Sequence, residues 1–277
     1  MNKLTAIGLR SINNIVDITN FILHETGQPL HAFDAAAITG NKVIVKTLPA
    51  NTEFITLDQK KRILHEQDLM ICNATEGMCI AGVFGGIASG VSETTTSIFL
   101  ESACFHPTWI RKTSLRHDLR TDAASRFEKG VDISNTVNVL KRAALLIKEV
   151  AGGEICGDII DIYPNPKPKA SVRIKYHYLK KLSGKNYHPD QVKKILSALG
   201  FEIVKEGLDE LWVDVPYSKP DISIPADLVE EILRIDGLDS VEIPQSITIS
   251  PATEQLGIKE NPVSYTHLRA HETRHDL

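Results

Sequence analysis

Four carboxylates near the end of the chain, Asp221, Asp227, Glu230 and Glu231, have the most specific spacing in the sequence. Positions 227, 230 and 231 are related as i, i+3 and i+4, so on a helix three acids share one face, with Asp221 on the loop that enters it. Such a face suits magnesium, a hard cation that usually takes one or two carboxylates and keeps several waters. Acids in a first helical turn also complement the positive end of the helix dipole, worth ~0.3–1 kcal/mol each. That ordinary explanation covers Asp227 and Glu230. It covers Asp221 less well, and also the pair Asp227/Glu231, since like charges at i, i+4 repel unless something neutralises them.

The first half of the chain has no complete hydrolytic triad, but it places polar residues where a reason is needed. His31 lies in Gly27-Gln-Pro-Leu-His-Ala-Phe-Asp34, and Glu101 interrupts the apolar run Ile98-Phe-Leu-Glu-Ser-Ala103. Thr121-Asp-Ala-Ala-Ser-Arg-Phe-Glu128 is a segment of small residues, and Ala81-Gly-Val-Phe-Gly-Gly86 is a glycine-punctuated turn that a ligand or another backbone can approach closely. Taken singly, a histidine is more often a bonded structural residue than a catalyst, and a strand glutamate more often points to water.

The elements that must hold these residues fall into two groups. From Leu9 to Ile162, short β-rich runs (Val43–Val45, Phe54–Leu57, Ser97–Leu100) between Gly/Asn/Asp turns predict a mixed sheet. This region closes with a helix capped at Ser134 or Asn135, apolar at Val137, Leu140, Ala144 and Ile147, and stopped by Gly152 and Gly153. The prolines of Tyr163-Pro-Asn-Pro-Lys-Pro-Lys169 mark a boundary. Beyond it, strands at Ser171–Tyr176, Phe201–Val204 and Leu211–Val215 alternate with helices starting at Pro189 and near Ala226, the latter stopped by Gly237. The reading is α+β: a mixed-sheet domain over 1–163, a linker over 164–170, and a small second α+β domain over 171–244 made of two helices on a sheet.

Composition sets the limits. At 277 residues the chain is long enough for two domains, and 42% apolar with 24% charged residues allows a packed core. A net charge of −4 gives no global field for nucleic acid or membrane. Locally, residues 166–194 carry nine Lys/Arg against Asp190, while 201–242 carry twelve acids against Lys205, Lys219 and Arg234. One face of the second domain can thus meet phosphates while the other holds a cation, or both are ordinary solvated surface. Cys72, Cys79, Cys104 and Cys156 form no C-x-x-C pair, which fits a reduced cytoplasmic interior. Apolar runs such as Ala143–Ile147 are far short of the ~20 residues that span a bilayer, and the N-terminus has no signal-peptide core.

Six segments, taken together, resemble the β subunits of bacterial phenylalanine–tRNA ligases. They are Arg10-Ser-Ile-Asn-Asn-Ile-Val-Asp-Ile-Thr-Asn20, Gly27–Asp34, Ala81–Gly86, Phe99–Ala103, Arg120–Asp132 and Pro220–Glu231, in the family's order, and the resemblance runs from about Leu4 to Pro251. It implies that the first domain is a B3/B4 editing domain and the second a B5 domain. It also implies a pocket that hydrolyses tyrosine wrongly esterified to phenylalanine tRNA, formed by His31, Gly85, Glu101, Thr121 and Ala123, with Arg10 at the tRNA end. In that pocket Glu101 would accept the tyrosine hydroxyl, His31 would orient or deprotonate a water, and Thr121 would hold that water or the ribose. Rejection of the analogue lacking the hydroxyl by ~10⁴–10⁵ is within reach of a site built to bond it. The four carboxylates match a magnesium site shared with an α subunit, whose synthetic site uses ATP in an α2β2 enzyme, so this chain alone is not expected to aminoacylate.

The sequence departs from the family in two places. Pro216-Tyr-Ser-Lys-Pro-Asp221 replaces an aromatic and an arginine before the aspartate, and from about Gln255 the match fades. Residues 262–277 fit nothing in the family and have no apolar face, although His267, His271 and His275 are spaced i, i+4, i+8; the reading for 245–277 is linker followed by a non-native, disordered tail. Two other functional classes stay open. One is a free-standing hydrolase of mischarged tRNA, and the other is a docking module with an idle pocket.

Overall fold

The computed structural model describes residues 2–241, so the predicted tail and its histidines lie outside the described residues. Helix α1 (Asn2–Ala6) leads into α2 (Asn14–Thr26), where the Asn13 side chain accepts from Val16 N and left-handed Gly27 ends the helix. Strands β1 (Leu30–Asp34), β2 (Ile44–Thr47), β3 (Glu53–Ile55), β4 (Lys61–Ile63), β5 (Leu69–Cys72), β6 (Gly77–Ile80), β7 (Phe84–Gly85) and β8 (Ile98–Ser102) follow. Helices α3 (Pro107–His117), α4 (Asp122–Lys129) and α5 (Thr136–Ala151) complete the first region. After an irregular stretch come β9 (Ser171–Lys175), α6 (Tyr176–Ser183), α7 (Pro189–Ala198), β10 (Glu202–Glu206), β11 (Glu210–Asp214) and α8 (Pro225–Asp236).

The α+β class holds, and every strand pair among the described residues is antiparallel where the sequence suggested a mixed sheet. For β3-β4, β5-β6 and β6-β7 the reason is connectivity, since short turns join them whereas a parallel pair needs a long crossover. The order is β2-β5-β6-β7 in the main sheet, with separate two-stranded ribbons β1-β8 and β3-β4. One core gathers Phe33, Met70, Ile80, Phe105, Ile110 and Phe127 on the main sheet; a second joins α2 and α5 through Ile18, Ile22, Val139 and Ala143.

The second region has three helices rather than two on its sheet β10-β11-β9, because Tyr176–Ser183 turns straight out of β9 and buries Leu179. Its charges do not separate into faces. Lys169 meets Glu202, Arg173 meets Glu210, Lys193 meets Asp190 and Glu206, and Lys185 meets Asp236, so four of the nine cations of the basic stretch pair with acids of the acidic one. The predicted proline boundary is irregular backbone, tied down where the Tyr217 hydroxyl donates to Lys167 O.

Candidate functional site

The ribbon β1-β8 sets His31 directly opposite Glu101. Directly opposed residues of an antiparallel pair project from the same face with Cβ atoms ~4.5–5.5 Å apart, so the imidazole and the carboxyl are cross-strand neighbours. Gln28 helps to fix that register: its buried Nε2 donates to Pro29 O at 3.1 Å and to Ala103 O at 2.7 Å, across the start of one strand and the end of the other. Phe33 packs edge-on against the His31 ring at 4.5 Å between centroids and continues the pairing opposite Phe99.

Both polar groups are held uncharged at neutral pH. Burial lowers His31 to about 4, and its Nε2 is a buried atom with no hydrogen-bond partner. Leaving such an atom unpaired costs roughly 1–3 kcal/mol, and a fold retains that cost mostly where the group has work to do. Burial raises Glu101 to about 8, with no hydrogen bond opposing the shift. The Cys79 thiol is pushed well up by its own burial, with Glu101 adding to the effect.

Gly85, on β7, supplies the floor. A Cβ there would sit 2.8 Å from His31 Cε1 and 2.9 Å from Leu57 Cδ1, closer than real contacts allow. Only glycine lets the histidine ring lie against this backbone. Leu57, at the tip of the β3-β4 ribbon, was read from the sequence as the end of a strand. Its backbone N–H donates to Gly85 O at 3.0 Å and its side chain closes over the glycine, a contact between residues far apart in sequence that no local pattern announces.

Thr121 reaches the same turn from another direction. It is the N-cap of α4: its hydroxyl accepts from Ala124 N at 3.1 Å and donates to Val83 O at 2.9 Å, two residues before Gly85. The hydroxyl's single proton is therefore committed to the protein, and Thr121 positions the glycine turn. Ala123 is partly buried against the main core. Arg10 is exposed. The structure thus brings His31, Glu101 and Gly85 together, ties Thr121 to them through Val83, and leaves Arg10 on the surface.

The acidic face of α8 is differently occupied. Asp227 accepts from Ser223 N at 2.7 Å and Ile224 N at 2.9 Å, which lowers its carboxyl and closes the first turn of the helix. Glu231 accepts from Arg234 Nε at 3.0 Å and also from Lys219; these bonds, Arg234's first, outweigh burial and hold it at about 2. Asp221 and Glu230 are exposed. No group of three or more His, Cys, Asp or Glu able to hold a metal occurs among the described residues, and with two of its four carboxylates engaged the set does not fit a magnesium site as it stands. The like-charge pair Asp227/Glu231 is neutralised by the chain's own N–H groups and cations.

Comparison with known proteins follows this division. The B3/4 domain model matches residues 1–152, and the tRNA synthetase B5 domain model matches 172–238. The chain is 50% identical over 260 residues to the phenylalanine–tRNA ligase β subunit of Bacteroides thetaiotaomicron, covering 94% of this chain and 32% of that protein. It is 47% identical over 250 residues to that of Porphyromonas gingivalis, covering 90% and 30%. The chain therefore spans about a third of the length of these relatives. A solved N-terminal fragment of the phenylalanyl-tRNA synthetase β subunit from Pyrococcus horikoshii aligns with a TM-score of 0.40 at 13% identity, over 79% of this chain and 64% of that one. With more than half its residues inside the B3/4 model and a B5 match after them, the chain belongs to the B3/4 domain family.

Proposed function

We propose that the chain is the editing and B5 portion of a phenylalanine–tRNA ligase β subunit, and that its His31/Glu101 pocket hydrolyses tyrosine mischarged on phenylalanine tRNA. The observation that carries this reading is the cross-strand pair: two half-buried, uncharged polar groups side by side, the histidine over a glycine floor and with its Nε2 buried and unpaired. A protonated Glu101 both donates to and accepts from a phenol hydroxyl. Phenylalanine would leave that carboxyl buried without a partner, and this penalty supplies the discrimination. An aminoacyl ester is already activated, so hydrolysis needs a placed water and room for the developing oxyanion rather than a protein nucleophile. A neutral imidazole is the form that can accept a proton from such a water, and Thr121 keeps the Gly85 backbone at the distance the pocket needs.

In the whole subunit we place this portion beside an α subunit that joins phenylalanine to tRNA with ATP, in the cytoplasm. The four free cysteines suit that compartment, and no helix among the described residues is long and apolar enough to cross a membrane. No step is assigned to a metal. The test is to incubate the purified chain with tyrosyl- and phenylalanyl-tRNA and follow loss of ester. Selective loss of tyrosine, abolished in Glu101→Ala, is the expected result. Equal loss of both amino acids would count against the assignment. No loss of either would leave the pocket idle and favour a docking role.

A further inference from the structure

We propose that a cleft along one edge of α3, lined by none of the residues placed in the editing pocket, is a second binding site and takes a single-stranded RNA segment. Trp109, Lys112 and Arg116 are spaced i, i+3 and i+7, so they form one stripe of the helix. With Gln67 from the β4-β5 connection they line a cleft of about 110 Å³, room for a group the size of a phosphate. No acid occurs between Pro107 and His117, and no ion pair engages Lys112 among the described residues.

The cleft is built rather than accidental. Asp68, with no exposed side-chain surface, accepts from Thr113 Oγ1 at 3.0 Å, His65 N at 2.9 Å and Arg116, and meets His117 Nε2 at 2.6 Å. One Arg116 nitrogen is thereby anchored on a buried carboxylate, which fixes the guanidinium where it lines the cleft. Three α3 residues, Thr113, Arg116 and His117, converge on that single carboxylate, which locks the helix against the β4-β5 connection.

The chemistry selects the ligand. An indole that is 44% exposed offers a face for a base, and every base has a π-face to stack on it. The Lys112 ammonium offers charge to the adjoining phosphate, while the guanidinium of Arg116, whose charge Asp68 balances, is a fixed hydrogen-bond donor beside it. An acidic peptide would satisfy the cations and leave the indole without a role. A free nucleotide would use one base and one phosphate, whereas a strand places neighbouring phosphates along the stripe. The net charge of −4 for the whole chain means that the attraction is local to this helix edge.

The experiment uses the full 277-residue chain and an end-labelled, non-aminoacylated oligoadenylate followed by fluorescence anisotropy, with AMP and polyglutamate as competitors. Because Trp109 and Lys112 lie outside the residues of the editing pocket, the effect of their substitution is read independently of the editing reading. Trp109→Ala is expected to weaken binding roughly 5- to 100-fold, the range that loss of one stacked base gives. Lys112→Glu is expected to reduce the slope of log affinity against log salt by at least ~0.7, with the thermal midpoint of both variants unchanged. Three results would each overturn the proposal: no binding, binding indifferent to both substitutions, or competition by AMP or polyglutamate as effective as by unlabelled oligonucleotide.

Discussion

Burial moves His31 and Glu101 in opposite directions, and each shift ties stability to pH. Glu101, raised to about 8 from an ordinary 4.5, contributes fully below pH 4.5, and that contribution is lost as pH rises toward 8. His31, lowered to about 4 from 6.5, contributes fully above pH 6.5 and loses it as pH falls toward 4. Glu101→Gln, which cannot ionise, is therefore expected to raise the thermal midpoint relative to the parent at pH 8 and to change it little at pH 4.5. An equal shift at both values would show that the carboxyl is not held protonated. Gly85→Ala is expected to leave the chain folded, push the imidazole off its floor and move the His31 titration, read by NMR, up toward 6.5, with loss of tyrosyl-tRNA deacylation. The identity of these residues was legible only through resemblance to a family. A lone histidine and a lone strand glutamate look ordinary until a strand register places them face to face, and no local pattern encodes a pairing between residues 31 and 101.

Elements whose ends carry strong signals were the readable ones. The Gly152 stop of the closing helix α5, the Pro189 start of α7 and the Gly237 stop of α8 stand where the sequence places them, whereas α5 buries Val139 and Ala143 instead of the expected Val137, Leu140 and Ala144, and Asn135 makes no side-chain cap bond. The α4 segment stands out in the sequence only as a run of small residues because its apolar face is little more than Ala124 and Phe127; its helix depends on the Thr121 cap and on packing against the main core. Thr121→Val, which keeps the shape and removes the acceptor, is expected to cost about 1 kcal/mol, or about 2–4 °C in thermal midpoint, while Thr121→Ser restores most of it. Asp68 holds α3 in place from outside the helix. Burial pushes its carboxyl up, and hydrogen bonds, His117's foremost, outweigh this and bring it below the usual carboxylate range. Asp68→Ala leaves the Arg116 and His117 sites without their acceptor and is expected to destabilise by ~3–5 kcal/mol, measured by urea unfolding.

Across the whole molecule, the apolar clusters divide at the proline-rich stretch: two lie before residue 148 and one between Val172 and Ile232. Within residues 2–241, limited proteolysis is accordingly expected to cut first between Gly153 and Lys169, where the backbone is irregular and exposed; first cleavage within α5 or β9 would contradict this. The segregated charges of the second region were visible in the sequence, but their neutralisation was not, since it requires β9 and α7 to lie beside β10 and β11. The Glu231 carboxylate shows the same effect, as Lys219 and Arg234 occupy it from a loop and from the next helical turn. Millimolar magnesium is expected to leave the thermal midpoint of this chain unchanged, whereas Glu231→Ala, which sets the two cations side by side without an acid, lowers it. One consequence follows from the Gln28 bridge between β1 and β8. Everything from Ala35 to Ser97, Gly85 included, is threaded between the two strands that carry His31 and Glu101, so the exposed turns of that excursion can lengthen or shorten through evolution without moving the pair, whereas β7 cannot. A single residue inserted within either strand, by contrast, turns one member of the pair to the opposite side of the ribbon and abolishes the site, and it also displaces Phe33 or Leu100 from the apolar clusters they join.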